Sequence, residues 1–301
     1  MNFAMIGLGR MGGNMARRLR RGAAEIAVYN RSVEVAETLA QETGAQVLKS
    51  LDQVTELASP RIVWLMLPAG AATEQAIELL VPHLTRGDLV VDGGNAFYKD
   101  SMRRAALLRA HGIEFADAGV SGGVWGLENG YALMIGGSDT AIATLEPYIK
   151  ILAPTATSGW LHCGPAGSGH FVKMIHNGIE YGMMQAFAEG FALLKAKQEF
   201  ALDLGAIAEM WRHGSVVRSW LLDLTAEFLR DDSELVNIEP HVADSGEGRW
   251  TALEAIEQGV PAPVMSLSLM MRFATQGKND YPAKMLAMMR KGFGGHAVKQ
   301  G

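Results

Sequence analysis

The sequence is poor in the features that mark several common functional classes. It carries one cysteine, Cys163, so neither an intrachain disulfide nor a multi-cysteine metal site is open to it, and no metal is expected. Basic residues do not predominate: 27 Lys and Arg stand against 32 Asp and Glu, for a formal charge of −5 at pH 7. That balance gives none of the broad positive field on which nucleic-acid binding rests, so nucleic acid is not an expected partner. No uninterrupted apolar run approaches the roughly 20 residues of a membrane span. The opening MNFAMIGLGR lacks the basic segment and long apolar core of a secretory signal. A reducing, cytoplasmic setting is therefore the expectation. What is present is a chain of 301 residues, 49% hydrophobic and 20% charged, enough for two domains with a sizeable core.

The first informative stretch is GLGRMG. Gly7, Gly9 and Gly12 make G-x-G-x-x-G between a short apolar run (3 to 6) and an amphipathic helix. Gly7 permits a tight turn, Gly9 lets backbone approach a pyrophosphate, and Gly12 lets the helix sit close to the strand. Leu8, Arg10 and Met11 complete a turn whose helix N-terminus faces the phosphates. About 20 residues on, where such folds read the adenosine ribose, an acid would favour NAD. Here stand Asn30, Arg31 and Ser32. Arg31 offers a planar cationic fork to a 2′-phosphate, with Asn30 and Ser32 as further donors, so NADP is favoured. A second reading, in which Arg31 stacks on the adenine and NAD is also accepted, stays open.

Further strand-like runs follow at 61–70, 88–95, 113–123 and 131–137, separated by helical stretches. The alternation predicts a mainly parallel, doubly wound sheet. Ligands of such sheets lie at the carboxyl ends of the strands, where Leu67, Pro68, Ala69, Asn95 and the Ser121-Gly122-Gly123 turn fall. The fold class expected is α/β, an N-terminal doubly wound Rossmann-type domain (1–164) followed by an all-α C-terminal domain (165–301). Helices are expected over 168–197 and roughly 204–230, with shorter ones to about 291.

The first of these helices is unusual. Lys173, His176, Asn177, Glu180 and Tyr181 fall at i, i+3, i+4, i+7 and i+8, one stripe of a helix whose remainder is largely apolar. Such a stripe reads better as lining a polar cavity than as a solvated face. Beside a dinucleotide fold it offers what oxidation of a carbinol needs: a base, an acid about two turns away, and amide and imidazole groups to orient oxygens.

With GLGRMG, DGGN, GVSGG, GHFVKMIHNGIEYG and the tail RKGFGGH, the chain resembles decarboxylating 6-phosphogluconate dehydrogenases over nearly its whole length, in a short form with one copy of the helical half. The resemblance implies oxidation of 6-phospho-D-gluconate at C3 and loss of CO2 to give D-ribulose 5-phosphate, without a metal. It implies that Lys173 takes the C3 hydroxyl proton and that Glu180 protonates the enediol. Asn95, Ser121, Gly122, Gly123, His176 and Asn177 match contacts to the substrate's carboxylate and hydroxyls, with Asn95 also near the nicotinamide. Tyr181 and Arg272 match phosphate ligands. Arg290 and His296 match a tail that reaches into a neighbouring subunit's site, which implies a homodimer or larger. One departure concerns the phosphate: a Lys-Gly-Thr-Gly run of the longer enzymes is replaced by Ser245-Gly246-Glu247-Gly248, leaving Tyr181, Arg272 and Arg290, helped by Arg249, to bind it.

Two other readings are set against this one. A 3-hydroxyisobutyrate-type dehydrogenase would share the glycine turn, the Ser-Gly-Gly turn and the helix lysine, but needs neither Glu180 nor a basic cluster at Arg272 and Arg290. A cofactor-binding sensor without catalysis would need neither Lys173 nor Glu180.

Overall fold

In the computed structural model, which describes residues 1–294 and residue 297, the chain folds as two compact units, Met1–Met174 and Ile175–Gly301. The first alternates strand and helix: β1 (Phe3–Ile6), α1 (Arg10–Arg21), β2 (Ile26–Tyr29), α2 (Val33–Thr43), β3 (Gln46–Val47), β4 (Ile62–Leu65), α3 (Ala71–Leu80), β5 (Leu89–Asp92), α4 (Tyr98–Ala110), β6 (Glu114–Ser121), α5 (Gly126–Asn129), β7 (Ala132–Gly137), α6 (Asp139–Leu152), β8 (Trp160–Gly164) and the start of α7 (Ser168–Ala196). The eight strands form one sheet in the order β3-β2-β1-β4-β5-β6-β7-β8. It is parallel from β3 through β6, and β6 meets β7 antiparallel.

Period-2 alternation explains why both faces are covered. Phe3, Met5, Val28, Trp64 and Val91 point to one face, where α1 and α6 supply Met15, Leu19, Leu145 and Ile149. Ala4, Ile6, Val63, Leu65 and Val90 point to the other, under Ile77 and Leu80 of α3 and Leu108 of α4. β1, β4 and β5 are buried along their whole length, as a strand between two helical layers must be. The strand order turns outward from β1 in both directions, so a crevice opens at the carboxyl ends of β1 and β4.

The second unit is helical: the rest of α7, then α8 (Leu204–Trp211), α9 (Trp220–Asp231), α10 (Glu247–Gln258), α11 (Pro263–Thr275) and α12 (Asp280–Gly294). The single helix expected over 204–230 is two. Gly214 adopts φ +78°, which ends the first, and Ser219 starts the second by accepting from the Leu222 amide at 3.2 Å. Gly178 and Gly182, one turn apart on α7, let neighbours approach: a Cβ at 178 would meet Thr251 of α10 and Met265 of α11, and one at 182 would meet Val264. A small core of Phe191, Leu204, Ala208, Leu222, Ala226 and Leu229 joins α7, α8 and α9. Many large apolar side chains of this unit remain exposed, among them Ile179, Leu193, Val264, Leu267, Met285 and Leu286.

The first turns of α7 pack within the sheet unit. Asp117 of β6, fully buried, accepts from the Gly167 amide at 2.5 Å and the His170 amide at 2.7 Å, an anion at a helix N-terminus. Ser101 of α4 lies 2.7 Å from His170 Nδ1. The sheet unit therefore runs ten residues beyond the point where β8 ends at Gly164.

No described helix is long and apolar enough to cross a membrane. Among the described residues no group of three or more His, Cys, Asp or Glu is placed to hold a metal ion.

Candidate active site

The glycine turn leaves β1 with Gly7 at φ +92°, its amide donating to Tyr29 O at 2.9 Å. A Cβ on Gly7 would collide with Leu67, and one on Gly12 would come within 2.9 Å of Met66 Cβ. Both glycines are thus demanded by the chain's own packing. Gly9 is not: its φ is −61° and a Cβ there would meet nothing within 4 Å. The space in front of Gly9 lies at the N-terminus of α1, whose first turn has no side-chain cap and no acid. Open space at unprotected helix amides fits a pyrophosphate, the cradle a dinucleotide requires.

Neighbouring turns close on the same edge. Asn30, after β2, accepts from the Leu8 amide at 3.1 Å through Oδ1 and donates to Ser32 O at 3.2 Å. Its side chain braces the glycine turn, while Arg31 and Ser32 stand exposed beside it. Leu67, Pro68 and Ala69 follow β4, and Thr73 Oγ1 donates to Pro68 O at 3.0 Å to hold that loop. Asn95 is exposed after β5, on a turn pressed against the Leu67 carbonyl so closely that Gly94 has no room for a Cβ. Ser121 ends β6, followed by Gly122 and Gly123 at φ +131° and +52°.

Alternate residues of β6 share a face toward α7: Asp117 caps the helix, Gly119 receives it, and Ser121 follows. A Cβ on Gly119 would fall against the Cβ of Lys173. The lysine is thereby set opposite the strand that ends in Ser121. Sequence reasoning missed Asp117; the signal was a charged residue in the middle of a strand, flanked by apolar neighbours.

Further along α7 the polar residues are half-buried, and Val172, Ile179, Met183 and Met184 are exposed, an inversion of the usual amphipathic helix. His176 Nδ1 lies 3.1 Å from Asn177 Oδ1 and 3.9 Å from Glu180 Oε2. Tyr181 is buried, its hydroxyl 3.4 Å from Ser245 Oγ, with the Arg272 guanidinium 3.4 Å from its ring centroid. Arg272 also donates to Ala243 O at 3.1 Å. Tyr181 and Arg272 are thus brought together. Arg249, in contrast, is ion-paired with Asp244 and stacks on Phe273 at 4.7 Å. Burial works to raise the Asp244 carboxyl, but its bonds from Arg249 and the Gly246 amide, and the charges of Arg249 and Arg272, hold it below the usual range. Glu247 is buried at the first turn of α10. Arg290 is exposed on α12, and His296 lies outside the described residues.

The glycine cradle at the switch point of a doubly wound sheet defines a dinucleotide-binding protein of Rossmann type. Two family models match the chain: the NAD binding domain of 6-phosphogluconate dehydrogenase over residues 2–161, and the C-terminal domain of the same family over residues 169–291. This chain belongs to the 6-phosphogluconate dehydrogenase family. It is 41% identical over 300 residues to the NAD(+)-dependent, decarboxylating 6-phosphogluconate dehydrogenase of Haloferax volcanii, covering 99% of this chain and 98% of that one. It superposes on Plasmodium falciparum 6-phosphogluconate dehydrogenase, solved in apo form and with NADP+ or 6-phosphogluconate, with a TM-score of 0.85 and 30% identity, over 100% of this chain and 66% of that one. A 3-hydroxyisobutyrate dehydrogenase of Mycobacterium tuberculosis shares the fold, at a TM-score of 0.72 and 21% identity, over 92% of this chain and 93% of that one.

Proposed function

We propose that this chain oxidises 6-phospho-D-gluconate at C3 and releases its carboxylate as CO2, giving D-ribulose 5-phosphate. The observation that carries the reading is that the Lys173 to Tyr181 stripe lies on α7 within a chain matched on both halves by one family. The bound nicotinamide dinucleotide supplies the hydride acceptor. Lys173 takes the C3 hydroxyl proton as the C3 hydride departs. The bond from C2 to the carboxylate then breaks, and its electrons pass into the new C3 carbonyl, polarised by the protonated lysine. Glu180 delivers a proton to the carbon that becomes C1 of the product. Asn95, Ser121, Gly122, Gly123, His176 and Asn177 orient the substrate's carboxylate and hydroxyls. Tyr181, Arg272 and Arg290 hold the phosphate, and the tail residue His296 contributes to the substrate site.

The dinucleotide is NADP in this reading, on the strength of Arg31; the NAD(+)-dependent Haloferax relative favours the second choice, NAD. The polypeptide acts in the cytoplasm as a homodimer or larger, with residues 1–164 binding dinucleotide and 165–301 serving substrate and subunit contacts. The exposed apolar faces of α7, α11 and α12 support that assembly. A 3-hydroxyisobutyrate-type activity is disfavoured, because the likeness to such an enzyme is one of fold.

The test is nicotinamide reduction with 6-phosphogluconate, with NADP and with NAD, while CO2 is trapped. Reduction with equimolar CO2 supports the reading, and Lys173→Ala is expected to abolish it while dinucleotide binding remains. Turnover of an unphosphorylated β-hydroxy acid alone would refute it.

A further inference from the structure

Two buried charges lie beneath the dinucleotide edge and take no part in the chemistry proposed above. Asp92, the last residue of β5, and Arg104 of α4 are each 1% exposed, and Arg104 Nη1 donates to Asp92 Oδ2 at 2.6 Å. Drawing two charges out of water costs several kcal/mol per ion, so such a pair is a poor device for stability alone. Its geometry reaches in two directions. Asp92 Oδ1 accepts from the Gly94 amide at 3.1 Å, fixing the turn that presents Asn95. The other edge of the guanidinium, Nε and Nη2, donates to Glu74 Oε1 at 2.9 and 2.7 Å. Glu74 stands in the first turn of α3, directly after the Leu67 to Gly70 loop.

The two turns so joined are in apposition. A Cβ on Gly93 would come within 2.7 Å of Met66 Sδ, and one on Gly94 within 2.5 Å of the Leu67 carbonyl oxygen. Arg104 therefore spans, from below, the turn after β4 and the turn after β5. Only a planar fork serves two carboxylates on two elements at once; an ammonium is a point charge on a flexible stem.

Resting on the reading that Leu67, Pro68, Ala69 and Asn95 hold the nicotinamide end of the dinucleotide, we infer that Arg104 is a positioning residue for that end. It touches neither cofactor nor substrate. It sets the spacing of the two turns that do, and so the distance from which hydride leaves C3. The pyrophosphate and adenosine ends, gripped at Gly9 and Arg31, lie outside its reach along the chain of contacts.

The test is Arg104→Lys, with Glu74→Gln as a second variant that takes the charge from the α3 arm, and from its outer pair with Arg103, and leaves the buried Asp92 pair intact. Three quantities are read: the Kd for NADPH, the fluorescence anisotropy of the bound reduced nicotinamide, and kcat against KM with 6-phosphogluconate protiated or deuterated at C3. The expectation for Arg104→Lys is a Kd within a fewfold of the parent, lower anisotropy, and a kcat reduced roughly 10- to 100-fold with KM little changed, as for a sub-ångström to ångström misplacement of reacting groups. The isotope effect on kcat should rise as hydride transfer becomes limiting, and Glu74→Gln should move each quantity the same way by less. Parent-like anisotropy and kcat in either folded variant, with only a lowered Tm, would overturn the inference and leave Arg104 structural. If the parent protein itself fails to turn over 6-phosphogluconate, the substrate reading falls, and the anisotropy alone still decides for or against Arg104.

Discussion

Gly119 of β6 is the floor on which Lys173 rests: a methyl group at position 119 would overlap the lysine's own Cβ. Beyond the Asp117 cap, strand and helix meet again at the residue to which the proposed base is attached. Gly119→Ala must push α7 outward at that point. The expected result is a kcat loss of about 100-fold, the scale of a 1 Å misplacement, with the Kd for NADPH unchanged. Equilibrium titration beside steady-state kinetics checks both arms, and parent-like kcat would show that the helix yields without carrying the lysine off station.

Arg31 stands exposed beside a turn already braced by Asn30. Arg31→Ala should weaken NADP roughly 10- to 100-fold, the loss of one charge-assisted contact, and alter NAD far less. Binding of both dinucleotides by fluorescence quenching measures the ratio. Equal losses would mean that the side chain stacks on the adenine and does not read the 2′-phosphate.

Asp88 supplies a pH dependence of stability far from the chemistry. It is fully buried, takes the Arg61 guanidinium at 2.8 Å, and accepts from the Arg61 and Thr85 amides, each at 2.7 Å. Burial pushes its carboxyl up, but these donors outweigh it and hold the value below the ordinary carboxylate range. A depressed folded value means stability that is complete above the unfolded pKa of about 3.9 and is lost as pH falls through the folded one. Asp88→Asn should cost roughly 2 kcal/mol at pH 7 and flatten the fall in stability below pH 4. Urea unfolding from pH 7 to pH 2.5 follows both, and parallel curves for parent and variant would remove Asp88 from the acid limb.

Tyr131 is fully buried, and its hydroxyl has no hydrogen-bond partner among the described residues. Burial pushes the phenol up to about 12, against a smaller downward pull from Arg18. Removing the oxygen removes a desolvation penalty, so Tyr131→Phe should leave stability unchanged or raise it by about 1 kcal/mol. Thermal unfolding reads the sign, and a clear loss would reveal a partner such as a buried water.

Much of the fold was legible because its signals are local. Fully apolar four-residue strands, the glycine turn and the 3.6-residue stripe of α7 each declare themselves within a few residues. β3 and β8 did not: a two-residue strand has no period to read, and Trp160–Gly164 is half-polar on an outer position. The break in the expected 204–230 helix depended on Gly214 adopting a left-handed conformation, which an isolated glycine in a helical pattern does not require. Within the site, Lys173, Tyr181 and Arg272 were visible as residue types, but the stacking of Arg272 on Tyr181 was not. The engagement of Arg249 by Asp244 was equally hidden. Asp117 and Arg104 act through partners 50 and 12 or more residues away, and spacing alone carries no record of such choices.

Gly9 gives the apoprotein nothing. Its backbone is one that any residue adopts, and no neighbour would object to a side chain, so the unliganded chain bears the extra disorder of an unfolded glycine with no packing gain in return. Screening this protein for thermal stability alone would therefore select against Gly9, and the survivors would be sturdier molecules that had closed the door to the dinucleotide.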